Sequence, residues 1–212
     1  GTTITADSLD VVARRQVGSA PSAAAQAFGA SGGVLFGVNA TLAKASNHGQ
    51  TNATLGSNGT FTISGTTQVH ADSQTQQVAS GVGISAGGLL AVGAVFSEAG
   101  SDTRTQSEVG DEVQVSGGTL KVLADSDDTN YAHGIAGSGG MVSAPFSQAK
   151  TTSTSQTVAR TGSGSATRKI DVASLEVRAD HDGRFDAWID STNASLVGVS
   201  GAKATNTSNA NT

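Results

Sequence analysis

The chain has no cysteine among its 212 residues, and it has only two prolines and one methionine. Without cysteine it can form no disulfide, thiolate zinc site or cysteine nucleophile. Two prolines are too few for a collagen-like or polyproline chain. Aromatic residues make up 4% of the chain and charged residues 14%, whereas a globular domain has about 25% charged residues. The fold must therefore be built mainly from small residues.

Positive charge and long apolar segments are also scarce. Twelve Lys and Arg stand against seventeen Asp and Glu, the net charge is -5, and no basic patch appears, so we expect no nucleic-acid partner. The longest apolar stretch, residues 82–96, contains Gly and Ser and is shorter than the ~20 residues of a spanning helix. We therefore expect no membrane span. Both ends lie in patterned sequence without a signal peptide, which predicts a fragment of a longer chain.

The abundance of small residues, including 28 Gly, raises the alternative of disorder. Disordered chains combine low hydrophobicity with high net charge. Here 36% of the residues are hydrophobic and the net charge is small. The apolar residues also recur in phase, which favours a folded chain.

One motif recurs four times and defines a repeat. Its copies are residues 8–14, 67–72, 120–125 and 175–180, and each has an anchor alanine, at Ala13, Ala71, Ala124 and Ala179. Apolar and polar residues alternate within each copy, as in a half-buried strand. We predict one continuous segment, 1–212, with approximate repeats 8–65, 66–118, 119–173 and 174–212, the last of them incomplete.

Other strand-like segments recur around each anchor. A short strand precedes it (61–63, 113–115, 170–172), a Gly- and apolar-rich strand follows it (31–38, 86–92, 138–144, 193–199), and a Ser/Thr-rich strand comes next (51–56, 103–110, 151–158). In the second copy Val82, Ile84, Ala86, Leu90, Val92, Ala94 and Phe96 share one parity. That parity predicts that they form the inward face.

Five or six short strands per repeat, joined by small-residue corners and without a helical period, predict an all-β solenoid. Three strands to a coil would give two coils per repeat of about 55 residues and about eight coils, stacked about 4.8 Å apart. Val122 and Val177 would then point inward at equivalent places two coils apart. The alternative is a β-sandwich or barrel, for which Asn58-Gly59 is a hairpin candidate.

These elements resemble the large repetitive filamentous adhesins of bacteria, the leukotoxin-type and filamentous-haemagglutinin-like exoproteins. The resemblance extends from about Ile4 to Ala204 and rests on the Gly-Gly-apolar, Thr-rich and Leu-x-Val-x-Ala-Asp strands and their order. It implies a right-handed parallel β-helix in a fibre that is extracellular or on the bacterial cell surface. It implies no catalytic or cofactor-binding residues, so we expect the chain not to be an enzyme.

Few residues suggest chemistry. His48, His70, His133 and His181 lack metal-binding spacing and are predicted at the surface or at corners. Two acidic clusters follow equivalent anchors and contain the Ca²⁺ candidates Asp125, Asp127, Asp180 and Asp182. Asp-x-Asp spacing can present carboxylates to Ca²⁺, but neither cluster completes a calcium loop. Solvated turns at corners are the alternative.

Three functions remain open. The first is a structural fibre segment that spaces or displays a binding region, with neighbouring coils of the same chain or stacked subunits as partners and a host-cell or surface receptor beyond them. The second is a β-helical glycan-binding module. The third is a polysaccharide lyase-like enzyme, for which Lys169, Arg178 and Arg184 could supply a cationic base, while Tyr131 and Trp188 could contact a sugar.

Overall fold

The protein was analysed as a computed structural model that describes residues 1–165 and 168–212. Its regular structure there is all β, with no helix long and apolar enough to cross a membrane. The strands are β1 (Thr3–Ala6), β2 (Leu9–Arg15), β3 (Ala23–Gly33), β4 (Phe36–Asn47), β5 (Gln50–Leu55), β6 (Thr60–Gly87), β7 (Leu90–Ser101), β8 (Arg104–Val109), β9 (Gln114–Ser153), β10 (Gln156–Thr161), β11 (Ile170–Gly198) and β12 (Gly201–Ser208).

Each strand pairs with strands one whole repeat away. Every strand pair of the described residues is parallel, and paired residues lie 52 to 58 positions apart in the chain. The strands therefore form four layers: β1–β5, β6–β8, β9–β10 and β11–β12. The prediction of an all-β fold with parallel strands is confirmed. The prediction of two coils per repeat and eight coils is wrong, because one repeat makes one wide layer.

The anchor motif stacks on itself through all four layers. Ala13 pairs with Ala71, Ala71 with Ala124, and Ala124 with Ala179. Val122 is fully buried and is paired with Val177. The two valines are equivalent, as expected, but they lie in adjacent layers rather than two coils apart.

The Asn58-Gly59 segment is a turn between layers and not a hairpin. It follows β5, which pairs with β8, and precedes β6, which pairs with β9. Asn58 has a φ of 61°, and Glu112 at the equivalent position of the next layer has a φ of 55°. Both therefore adopt the left-handed conformation, which Asn tolerates better than most residues. The hairpin on which the sandwich alternative depended does not form.

The wide end of each layer encloses the main apolar core. Strands β2, β5 and β8 and the first halves of β6 and β9 surround it. Its buried members are Ala53, Leu55, Phe61, Ile63, Val69, Ala71, Val109, Val113, Val115, Leu120 and Val122. Their burial removes the bulkiest inward side chains from water, which is the main favourable contribution to folding.

The other end of each layer is a thin arm, formed by residues 23–47, 77–101, 130–153 and 185–208. There β3 packs face to face on β4, and β6 on β7. The small core of the arm consists of Ala43, Ala45, Ala79, Ala99, Ala132 and Ala149. Gly83 is buried in it, and a Cβ on Gly83 would lie 2.6 Å from Cγ2 of Val95. The two walls of the arm are therefore too close for large side chains.

The alternate residues from Val82 to Phe96, which were predicted to face inward, face outward. Ile84 and Phe96 are exposed, whereas Ser85, Ala91 and Val95 between them are buried. The prediction was wrong because it assigned the bulkier parity to the inside, whereas the buried positions between 81 and 99 hold only Gly, Ala, Ser and Val95. The outward apolar side chains stack between layers instead, as in the ring contact of Phe96 and Phe146, whose centroids are 5.8 Å apart.

The buried column of Val122 gives a first stability prediction. Val122→Asp should lower the free energy of unfolding by on the order of 4 kcal/mol, because it buries an unpaired charge. The matched control is Val12→Asp, since Val12 is half exposed and its aspartate stays in water. Urea denaturation measures both, and equal midpoints for the two variants would contradict the assignment of the core.

The narrowness of the arm gives a second prediction. Gly83→Ala should cost about 1–3 kcal/mol, because the added methyl group overpacks against the stiff, fully buried Val95. Gly32→Ala is the control, since a Cβ at Gly32 meets no heavy atom within 4 Å. Thermal melts that rank Gly32→Ala as the more damaging change would refute the close approach of the walls.

Candidate functional site

The four predicted Ca²⁺ candidates form a ladder on the outside of the wall. Asp125 pairs with Asp180, and Asp127 pairs with Asp182. Asp72 extends the first column, since it pairs with Asp125. The two clusters are therefore equivalent, as predicted, but they lie within the long strands β9 and β11. The prediction that they occupy corners or turns is wrong, because the strands run on through them.

Basic side chains compensate the column that contains Asp125. His70 Nε2 lies 2.9 Å from one carboxylate oxygen of Asp125, and Arg178 lies 3.0 Å from the other. Arg178 also contacts Asp180 at 2.9 Å. The carboxylate oxygens of Asp125 are thus already paired with the His70 ring and the Arg178 guanidinium, so this column is organised as a structural polar network.

The second column is less well compensated. Burial raises the pKa of Asp127 above its ordinary value, and the Asp182 carboxylate in the next layer raises it further, while Arg184 opposes this effect. In residues 1–165 and 168–212, no three His, Asp or Glu side chains are grouped closely enough to hold a metal ion. The ladder brings like charges together without enclosing a cation site.

Sequence reasoning missed a carboxylate buried between the two apolar cores. The side chain of Asp128 is fully buried and accepts hydrogen bonds from Thr75 at 2.5 Å, from Thr103 and Ser153 at 3.4 Å, and from Ser155. Four hydroxyl donors replace the water that a carboxylate loses on burial. The signal was available, since the inward parity of Leu120, Val122 and Ala124 continues without a break to residue 128.

His181 lies beside this carboxylate. Its side chain is only 6% exposed, and its Nε2 is 3.9 Å from Oδ2 of Asp128, too far for a hydrogen bond. Its Nδ1 lies 3.4 Å from the hydroxyl of Thr157. The prediction of a surface or corner histidine is therefore wrong for His181.

The other histidines occupy three different environments. His48 is exposed and lies 3.4 Å from Asp102, which agrees with a surface position. His70 is part of the Asp125 network. His133 lies under the Trp188 indole, with ring centroids 4.0 Å apart. Burial under the indole lowers the pKa of His133 below its ordinary value, and the residue lies on the outer face of the wall, in agreement with a surface position.

The cations considered for a lyase do not converge on one site. Lys169 lies 3.5 Å from Asp171, near the start of β11. Arg178 is held in the Asp125 network, and Arg184 lines the neighbouring depression with Asp127 and Asp182. Tyr131 and Trp188 share a separate depression with His133 and Asp186. Tyr131 also lines the depression that contains Arg184, so Arg184 lies next to the aromatic pair, whereas Lys169 and Arg178 are held by Asp171 and Asp125.

Comparisons with known proteins found no relative: no family model matches the chain, and no curated protein or solved structure is significantly similar to it.

The two aspartate columns should respond to neutralisation with opposite signs. Asp127→Asn should raise the melting temperature at neutral pH by up to about 2 °C, because it removes a charge that burial desolvates and that the Asp182 carboxylate repels. Asp125→Asn should lower it, because it breaks contacts with His70 and Arg178. The pKa of Asp127 is raised in the fold, so the gain from Asp127→Asn should shrink as pH falls through that pKa and the wild-type carboxyl becomes protonated.

Calcium titration is the control for this interpretation. We expect millimolar Ca²⁺ to leave the melting temperature of the unmodified chain unchanged. A rise of many degrees that EDTA reverses and Asp127→Asn abolishes would mean that the ladder binds the ion.

Proposed function

We propose that the chain is a segment of a right-handed parallel β-solenoid, in an extracellular fibre of the filamentous-adhesin type that spaces or displays a binding region on a bacterial surface. The observation that carries the proposal is the parallel pairing of equivalent residues through four consecutive layers. Such pairing makes a stack that can grow in one direction. Right-handedness is supported by the strong preference of parallel crossover connections for that hand. The bacterial location rests on the sequence resemblance.

The ends of the stack favour further layers. Strands β1–β5 and β11–β12 pair with a neighbour on one side only, so each outer layer presents backbone donors and acceptors to another strand. Leu175 and Val177 continue the buried column of Leu120 and Val122, yet both are about half exposed in the outer layer. A further layer, from the same chain or from a stacked subunit, would cover them and pair these backbone groups.

The use of charge supports a structural rather than catalytic role. Ion pairs between adjacent layers recur around the stack, namely Arg14–Asp72, Lys44–Glu98, Lys121–Glu176, Arg160–Glu108 and Arg178–Asp125. Each joins a residue to the layer above or below. These side chains hold the layers in register, which is the requirement of a spacer.

The test is assembly of residues 1–212 in solution. We expect the mass from light scattering to rise with concentration, and electron micrographs to show rods of uniform width. Leu175→Lys with Val177→Lys should abolish growth, because a stacked layer would bury both ammonium groups. The control is Val12→Lys, since Val12 points outward from its layer. A monomer at every concentration, with its outer strands protected in hydrogen exchange, would contradict stacking.

A further inference from the structure

The only Trp and the only Tyr of the chain lie together on the outer surface. Tyr131 and His133 are on β9, and Asp186 and Trp188 are on β11. Asp186 pairs with Tyr131, and Trp188 pairs with His133, so the four side chains form a two-by-two block. With Ala132 they line a depression of about 270 Å³, which is large enough for one sugar ring.

The repeat does not require these residues. Equivalent positions in the first two layers hold Ala24 and Val78 in one column, and Gln26 and Ser80 in the other. Those layers stack without a large aromatic side chain at either place. The equivalent positions of the first two layers hold neither Trp nor Tyr, and the two aromatic side chains meet at one depression. A ligand explains this arrangement better than the stacking of layers does.

The indole is both exposed and held in place. Trp188 is 51% exposed and Tyr131 is 38% exposed, although large aromatic side chains contribute most when they are buried. The His133 ring packs on the indole at 4.0 Å with an interplanar angle of 49°. Because burial keeps the pKa of His133 low, the imidazole is uncharged at neutral pH and supports the indole as a neutral surface.

Carboxylates flank the indole on both sides. Residues 186, 188 and 190 alternate outward along β11, so Asp186 and Asp190 lie on either side of Trp188. Neither has an ion-pair partner in the described parts of the chain, unlike Asp125 and Asp180. Each therefore offers free acceptor oxygens next to an apolar platform.

We propose that Trp188, Tyr131 and Asp186 form a binding site for a neutral pyranose ring of a glycan. The flat C–H face of a pyranose packs on an indole, and its ring hydroxyls donate to carboxylate oxygens. Asp186 and Asp190 repel uronate and sulfated sugars. Arg184, the outward residue before Asp186, lines the neighbouring depression with Asp127 and Asp182. The site lies on the side of the layers, so the inference does not depend on stacking and would survive a failure of the fibre proposal.

Because Trp188 is the only tryptophan, its fluorescence reports this site directly. The probes are neutral tetrasaccharides of β-linked glucose, galactose and N-acetylglucosamine, with tetragalacturonate as the anionic probe. We expect a saturable change with at least one neutral probe at up to about 10 mM and none with tetragalacturonate. No saturable change with any neutral probe, or equal affinity for tetragalacturonate, would overturn the proposal.

Matched variants test which residues bind. Asp186→Asn should weaken binding about tenfold, because an uncharged amide oxygen and an NH2 donor replace two charged acceptor oxygens. Asp171→Asn, an exposed aspartate elsewhere on β11, should leave it unchanged. Trp188→Ala should abolish binding in ligand-observed NMR, and Phe28→Ala, which removes an exposed ring from the first layer, should not. Retained binding by a folded Trp188→Ala would overturn the site.

Discussion

The parallel backbone ladder between successive layers is the constraint on which the rest of the structure depends. It places each residue directly over its counterpart in the next repeat, so each position becomes a column of side chains about 4.8 Å apart. A column of alanines, such as that of Ala71 and Ala124, stacks without conflict. A column of aspartates does not, and Asp125 is accommodated because His70 and Arg178 are in contact with it. Charge and side-chain size must therefore be compatible along the stack as well as along the chain.

The same constraint explains why the core changes character across each layer. At the wide end, branched side chains such as Val69 and Val122 fill the space between the walls. Along the arm the walls approach until small side chains predominate, although Gln77 and Asn130 are buried where the arm begins. No charged residue occurs at positions 16–43, 73–97 or 129–149. Between the two regions the core is polar, and the hydroxyls of Thr75, Thr103, Ser153 and Ser155 bond the buried Asp128. This cluster must be fully hydrogen-bonded, because an unsatisfied buried carboxylate is costly.

Sequence reasoning could predict the repeat but not the way in which it folds. The anchor alanines and the strict alternation around Val122 identified the strands and the equivalence of the four copies. The alternation of apolar and polar residues does not show which strand pairs with which. The predicted number of layers therefore depended on an assumed coil of three strands.

The prediction of the inward face around Ile84 was wrong for a related reason. Along a strand, the more hydrophobic set of alternate residues faces inward only where the interior is wide enough for large side chains. In the narrow arm the small residues face inward and the bulky apolar residues face outward. The burial of Asp128 and His181 can be predicted from the alternation of inward and outward residues, but only once the strand is known to continue past Asp125.

In a stack of equivalent layers, departures from the repeat are more informative than the repeat itself. Positions that the fold requires are constrained in every layer, as the anchor alanines are. The column of Gln26, Ser80, His133 and Trp188 is different, because its members share neither size nor chemistry. The ladder tolerates this variation since the column faces outward, where side chains do not have to fit an interior. An outward column is therefore where a stack of parallel strands can acquire a binding residue without loss of register. The aromatic residues lie on such a column and the one beside it, whereas Asp128 lies on an inward column where its four hydroxyl partners are required.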